Sequence, residues 1–290
     1  MSNFFRQGRL SLQRYWRKMK KSEAAATEDF LKRNESASLN ACSRYLKHNP
    51  ALDKVWTLSG ADGNLQAVIV QSKQNLLPVF SCPNIPPPYF LQNFFRTVRV
   101  HSVQGRKEDA VMLEAALEKI GLLTTENTDY DTMRIDSLPI RCGPLGRPAG
   151  LVIRKPQTAD MDALAALHAA YEKEEVLPAR SVFSATASRL NIERICKNEE
   201  VLIAELDGCL VGKINTNAAG FTRRQIGGVY VLPDFRSRGI ARSLAGEFVA
   251  NIVAGGKGIS LFVKKSNPAA RKVYLNIGFE ITGDYRVSYF

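Results

Sequence analysis

Residues 225–254, QIGGVYVLPDFRSRGIARSLAGEFVANIVA, decide how this chain is read. Positions 226–232 are apolar and often β-branched, which predicts a strand. The pair Gly227-Gly228 inside it predicts a bulge or a close backbone approach. Pro233 ends the strand because it brings no N–H to a ladder. Ala241, Leu244, Phe248 and Ile252 then recur every three or four residues, one face of a helix that Gly255-Gly256 stops. A strand, a short turn and a helix start gather free backbone N–H groups around one point. A helix N-terminus favours anions, because its first N–H groups lack partners in the helix and the dipole is positive there. Gly239 and the small Ala241 leave room for a bulky ligand, and Arg236 and Arg238 add charge. A pyrophosphate suits such a turn.

The turn has neither the G-x-x-x-x-G-K-[ST] of a P-loop nor the G-x-G-x-x-G of dinucleotide folds. It resembles the acyl-CoA loop of the GNAT superfamily of N-acyltransferases, [RQ]-x-x-G-x-[GA], which Arg236, Gly239 and Ala241 fill. Val229 and Pro233 stand in the family's register ahead of it. Downstream, residues 259–263 (ISLFV) predict a buried strand. A helix follows, with Ser266 or Asn267 as N-cap, Pro268 at its first position and Gly278 at its end. Residues 267–279, NPAARKVYLNIGF, are similar to the family's second CoA-binding segment, N-x-x-A-x-x-x-Y-x-x-x-G-F. A terminal strand at 285–290 agrees with the same pattern.

The resemblance covers residues from about 150 to 290 and implies a mixed α/β fold, a mostly antiparallel sheet flanked by helices. It implies an N-acetyltransferase that moves an acetyl group from acetyl-CoA to a primary amine of a small molecule or peptide. On that reading Arg236, Ser237, Arg238, Gly239, Ile240 and Ala241 hold the pyrophosphate. Val229, Tyr230 and Val231, on a bulged strand with unpaired N–H groups, take the pantetheine arm and the thioester oxygen. Asn267 and Arg271 lie beside the cofactor, and Tyr274 protonates the leaving thiolate. Asn267 serves equally as a helix cap, and Tyr274 is otherwise a core residue with its hydroxyl at the edge.

A neutral amine attacks a thioester directly, so no Ser or Cys nucleophile is needed, and no G-x-S-x-G stands in the chain. Alkyl amines are mostly protonated at neutral pH, so a base is required. Residues 172–178, EKEEVLP, end a helix for which Thr158 is the expected cap and Met161, Leu164, His168 and Tyr171 the inward stripe. They resemble the stretch before the substrate loop in two-lobed family members, which makes Glu174 and Glu175 candidates to hold or deprotonate the amine. A solvated helix end fits these residues equally, and a water is the other candidate base.

With 290 residues the chain has room for two domains. No apolar run approaches the ~20 residues of a membrane span. No apolar core follows the basic N-terminus, so no secretory signal is expected. Cys42, Cys82, Cys142, Cys196 and Cys209 are odd in number, scattered and without a C-x-x-C pair. They read as reduced thiols of a cytoplasmic protein. His48, His101 and His168 have no ligand spacing, so no metal site is expected. Of the net charge of +12, +7 falls in residues 1–21, which contain no acid, and +5 is left for the rest. That arm reads as a solvated first helix whose aromatics, among them Trp16, cover the core; contact with RNA, an anionic membrane surface or an acidic partner is the alternative.

In the first half, helices are predicted over 22–33 and 34–47, the second with Leu39, Cys42, Tyr45 and Leu46 inward. Strands at 55–59 and 65–71 flank the turn Ala61-Asp62-Gly63-Asn64, and a third follows at 76–80. Pro83, Pro86, Pro87 and Pro88 mark a loop. A helix at 89–97, a strand at 98–103, a helix at 107–120 with Val111, Leu117 and Ile120 inward, and a last strand at 130–138 complete it. The order parallels the second half, whose own strands include 151–154, a helix at 189–197 and the hairpin 201–217 around Asp207-Gly208. Two tandem lobes are therefore expected: 1–147, which has lost its cofactor loop, and 148–290, which is catalytic, joined by the Pro- and Gly-rich 139–150. An unrelated α/β domain is the alternative for the first. An acyl-CoA sensor without transfer, or a nucleic-acid-associated protein acting through its arm, is the alternative function; the acceptor amine and a homodimer are left open.

Overall fold

The computed structural model describes residues 16–81, 100–137, 147–177 and 182–290. In chain order these form β1 (Arg17–Lys18), α1 (Ala24–Arg33), α2 (Leu39–Leu46), β2 (Asp53–Ser59), β3 (Leu65–Ser72) and β4 (Asn75–Phe80). Next come β5 (Ser102–Arg106), α3 (Lys107–Glu118), β6 (Glu126–Ile135), β7 (Leu151–Arg154), α4 (Met161–Tyr171) and α5 (Ala185–Asn198). The chain ends with β8 (Val201–Leu206), β9 (Cys209–Ala219), β10 (Arg223–Val231), α6 (Ile240–Ala254), β11 (Gly258–Lys264), α7 (Pro268–Ile277) and β12 (Glu280–Tyr289). Most of the basic arm, the proline loop, the helix expected at 89–97 and most of the 139–150 linker lie outside the described residues.

The described strands join in one sheet, in the order β1-β2-β3-β4-β5-β12-β6-β11-β10-β9-β8-β7. Two neighbouring pairs, β4–β5 and β10–β11, are parallel. The others are antiparallel, which gives the mixed, mostly antiparallel sheet expected. Each half lays down four antiparallel strands, then a strand parallel to the fourth, a helix and a final strand.

The two final strands change places. β6 pairs with β11 from Ile135↔Ile259 to Tyr130↔Lys264, and β12 pairs with β5 from Tyr285↔Arg106 to Tyr289↔Ser102. Met133 and Ile135 of β6 are therefore buried in one core with Ile259, Leu261 and the α6 stripe Leu244, Phe248 and Ile252. This exchange makes the sheet continuous between the halves and brings first-half side chains to the second half's cleft.

Local signals account for most boundaries. Asp207 (φ 51°) and Gly208 (φ 78°) both take the left-handed conformation of a type I′ turn, closing the β8–β9 hairpin. Asn267 caps α7 by accepting from the Ala270 N–H at 3.0 Å, with Pro268 next and Gly278 at φ 109° after the last turn.

Several expectations need correction. Residues 34–37 are turn, so α2 starts at Leu39, and Leu46 at its end is 46% exposed. On α3 the inward stripe is Ala110, Leu113 and Leu117, which leaves Val111 outside. The strand expected at 98–103 lies at Ser102–Arg106. Thr158 caps nothing: the Asp160 carboxylate accepts from the Gln157 N–H at 2.6 Å and pairs with Arg154 at 2.7 Å. A carboxylate with both a backbone donor and a guanidinium outcompetes a hydroxyl for that end.

Candidate active site

β10 and β11 run together from Arg223↔Gly258 to Ile226↔Leu261 and then part. At the same level the pairing of β10 with β9 slips. Gly227 faces Asn215 and Tyr230 faces Lys213, so Gly228 and Val229 together oppose Ile214, a β-bulge. Its residue types are forced. Gly228 has φ +61°, and a Cβ there would lie 2.0 Å from Asn215 Oδ1; on Gly227 it would lie 1.8 Å from Asn217 Nδ2. The bulge falls at the start of the 229–231 segment expected: Tyr230 and Val231 return to the ladder opposite Lys213 and Gly212, and Val229 alone of the three lines the opening.

A cleft of about 350 Å³ occupies the split. Gly227, Gly228 and Val229 form one wall, and Phe262, Val263 and Lys264 the other. Asn267, Ala270 and Tyr274 of the α7 segment line it, as do Tyr171, Glu175 and Val176. The first half supplies Asn40, Gln104 and Tyr130, and β12 adds Tyr285, Val287 and Tyr289. Asn40 Nδ2 donates to the Tyr285 hydroxyl at 3.1 Å and to Gln104 Oε1 at 3.3 Å, and Phe262 stacks on Tyr285 at 3.9 Å. These contacts fix the far wall.

The turn between β10 and α6 is open. Arg236, Ser237, Arg238 and Gly239 are exposed, Ser237 (φ 61°) and Gly239 (φ 80°) are left-handed, and nothing lies within 4 Å of a Cβ built on Gly239. Ile240 is buried at the helix start and Ala241 packs on the core. The arginines brace the turn. Arg236 donates from Nε to the Val231 carbonyl at 3.0 Å and from Nη2 to Glu174 at 2.8 Å. Arg238 donates to the Asp234 carbonyl at 2.9 Å. Arg271 pairs with Asp131 at 3.2 Å and does not line the cleft.

The two glutamates separate. Helix α4 widens into a π turn at Glu172–Val176, where the Leu177 N–H reaches the Glu172 carbonyl at 2.9 Å. The Glu174 carboxylate turns to the loop, accepting from Arg236 and, at 2.8 Å, from the Tyr230 hydroxyl, and Arg236 above all holds it below the usual carboxylate range. It is a strut between α4 and the loop. Glu175 lines the cleft, its carboxylate 3.4 Å from Lys264 Nζ.

Tyr274 is 7% exposed, edge-on to Phe279. Burial pushes its hydroxyl above the ordinary tyrosine value, and Tyr171 and Glu175 add to the shift. Burial likewise raises Tyr171 and Tyr130, each to about 12. The cleft thus gathers protonated phenols around one carboxylate. His168 is 2% exposed, with Nε2 3.1 Å from Glu172 and 3.2 Å from Asn191 Nδ2; burial lowers its pKa to about 4 and keeps it neutral.

Lys213, Asn215 and Asn217 were missed at the level of sequence. They alternate along β9 and lie behind the bulge, which Lys213 and Asn215 meet directly. The available signal was a lysine and two asparagines at every second position of a strand beside Gly-Gly.

Residues 165–279 match the sequence model of the Acetyltransferase (GNAT) family. A search of curated proteins finds no match. Among solved structures, a Drosophila protein superposes with a TM-score of 0.64 at 13% identity, over 96% of this chain and 99% of its own. A GCN5-related N-acetyltransferase from Sphaerobacter thermophilus gives 0.59 at 17% identity, over 95% and 94%. A tandem GNAT protein from the clavulanic acid biosynthesis pathway gives 0.59 at 12% identity, over 96% and 98%. At these identities the likeness is one of fold.

Proposed function

From the premise that residues 165–279 are a GNAT acetyltransferase domain, we propose that this protein is an N-acetyltransferase that carries an acetyl group from acetyl-CoA to a primary amine. One observation carries the reading: the split between β10 and β11, its glycine bulge and Tyr274 all border one cleft. The chain reads as two lobes, 1–147 and 148–290, with chemistry in the second and an acceptor wall from the first. The described residues contain no helix long and apolar enough to cross a membrane.

The backbone of residues 236–241 suits the pyrophosphate, because the helix start supplies unpartnered N–H groups and a positive dipole end. The pantetheine arm lies between the walls, and the thioester oxygen meets the Val229 N–H. Fixed donors of this kind stabilise the oxyanion as the carbonyl becomes tetrahedral. Asn267, held by its cap bond, borders the arm. The amine loses its proton to Glu175 or to a water beside it, attacks the carbonyl carbon, and the C–S bond breaks. Tyr274, kept protonated by its burial, gives its proton to the leaving thiolate.

Calorimetric titration with acetyl-CoA, followed by a thiol-release assay over a panel of primary amines, tests the reading. Binding with transfer supports it; binding without transfer to any amine leaves an acyl-CoA sensor. Tyr274→Phe is expected to lower kcat by ~10²–10⁴-fold with acetyl-CoA affinity nearly unchanged. An unaltered kcat would remove Tyr274 from the chemistry.

A further inference from the structure

Lys213 is fully buried. Its Nζ donates to the Gly228 carbonyl at 2.8 Å and to Asn215 Oδ1 at 3.1 Å, and lies 4.3 Å from the centre of the Tyr171 ring. Asn215 is held in turn by the Thr216 carbonyl at 3.0 Å and by Asn217 Oδ1 at 2.9 Å. A lysine costs a great deal to bury, and a strand interior normally has no use for one. This one is aimed at a single peptide group, the one between Gly228 and Val229.

The described residues have no cis peptide bond, so the Gly228 C=O and the Val229 N–H point in opposite directions from one rigid unit. With the carbonyl held by Lys213 Nζ, the N–H points away from that ammonium, and Val229 lines the cleft. We propose that Lys213 is a positioning residue for acyl transfer: its ammonium, bonded to the Gly228 carbonyl, fixes and polarises the peptide whose N–H receives the thioester oxygen. The inference rests on the N-acetyltransferase reading of this cleft. A charged donor on the carbonyl draws electron density along the amide and makes the N–H at its other end a stronger donor. The effect grows as negative charge develops on the oxygen, so it favours the transition state over the bound thioester.

The surroundings make this contact sensitive to pH. From α4 and its π turn, Tyr171, His168 and Glu172 face the lysine region; Cys196 faces it from α5, and β10 presents the Gly228 carbonyl. Burial lowers the Lys213 pKa to about 7, with Glu172 and Cys196 working the other way. As pH rises through that value the ammonium loses its proton, and the neutral amine left behind is a weaker donor.

The test is Lys213→Met, which keeps the length and removes the charge, assayed for acetyl-CoA binding by calorimetry and for kcat with the best amine of the panel. The expected result is a fall in kcat of ~10–100-fold with acetyl-CoA affinity held within ~3-fold. The fall in wild-type kcat on the alkaline side of neutrality is expected to vanish in the variant. Because Lys213→Met could fold poorly, the second measurement uses unaltered protein: the Val229 amide resonance in valine-labelled material is followed against pH. It is expected to move with a midpoint near 7, the value to which burial brings Lys213. A folded variant with wild-type kcat, or a Val229 amide that ignores pH, overturns the proposal and leaves the enzyme reading standing. A wild-type protein that binds acetyl-CoA but acylates no amine overturns that reading, and the role of Lys213 with it.

Discussion

Among the described residues, parallel strands part in two places, and these meet opposite fates. β10 and β11 share a register over four residue pairs and then diverge around a glycine bulge, leaving a cleft. β4 and β5 pair at Asn75↔Ser102 and Leu76↔Val103. Pro78, two residues on, has no N–H to extend the ladder. At this second opening the chain itself supplies partners for the end of β4, and a cavity of about 410 Å³ lined by Ser81, Arg106 and Asp109 lies beside them. Gly105 lets β5 lie close to Pro78, whose carbonyl oxygen would be 3.0 Å from a Cβ at 105. Arg106 donates to the Phe80 carbonyl at 2.9 Å, Asp109 accepts from the Phe80 N–H at 3.2 Å, and the two side chains bond at 2.7 Å. The backbone groups at the end of β4 thus have protein partners. Side chains at the ends of the strands, and not the order of elements, decide whether a split becomes a site.

The comparison breaks most readily at the bulge. Gly228→Val would drive a side chain into Asn215 and force a positive φ on a β-branched residue, so acyl transfer should fall by more than ~100-fold, as kcat/KM measures. At the β4–β5 split, Asp109→Ala orphans the Phe80 N–H and removes one partner of the Arg106 guanidinium. Urea denaturation should show a loss of about 1–3 kcal/mol, with acetyl-CoA affinity unaltered. Gly239→Ala meets no atom but must hold φ near +80°, which costs about 1 kcal/mol and should weaken acetyl-CoA roughly 5-fold by calorimetry.

The smallest effect lies at the seam between halves. Asp129, between Arg286 and Lys107, has its pKa lowered to about 2, chiefly by Arg286. A carboxylate depressed in the folded state stabilises above its unfolded pKa of ~4. That contribution is lost as pH falls from there towards 2. The urea midpoint should drop across this window, and less steeply for Asp129→Asn; solvent around the pair keeps the difference small.

The open split between β10 and β11 was largely legible in the chain, because its parts are local. A Gly pair in a strand, Gly239 before a helix and Asn267-Pro268 each state their role within a few residues. What could not be read depends on neighbours distant in sequence. Lys213 gains its place because β9 lies against the bulge, and Tyr130 and Gln104 reach the cleft only because β6 and β12 change places. Glu174 and Glu175 looked alike; a π turn sends one to the loop and the other to the cleft. Asp109 and Arg106 sat in plain view, but what they bond is visible only once β4 is beside them.

Hydrogen exchange at single amides, with and without acetyl-CoA, bears most directly on the difference between the two splits. The account predicts added protection at Val229 and at the amides of residues 238–241, with the amides of 79–81 and 102–106 unchanged. Protection that appears at the β4–β5 end, or that spares Val229 and the turn while acetyl-CoA is bound, would contradict it.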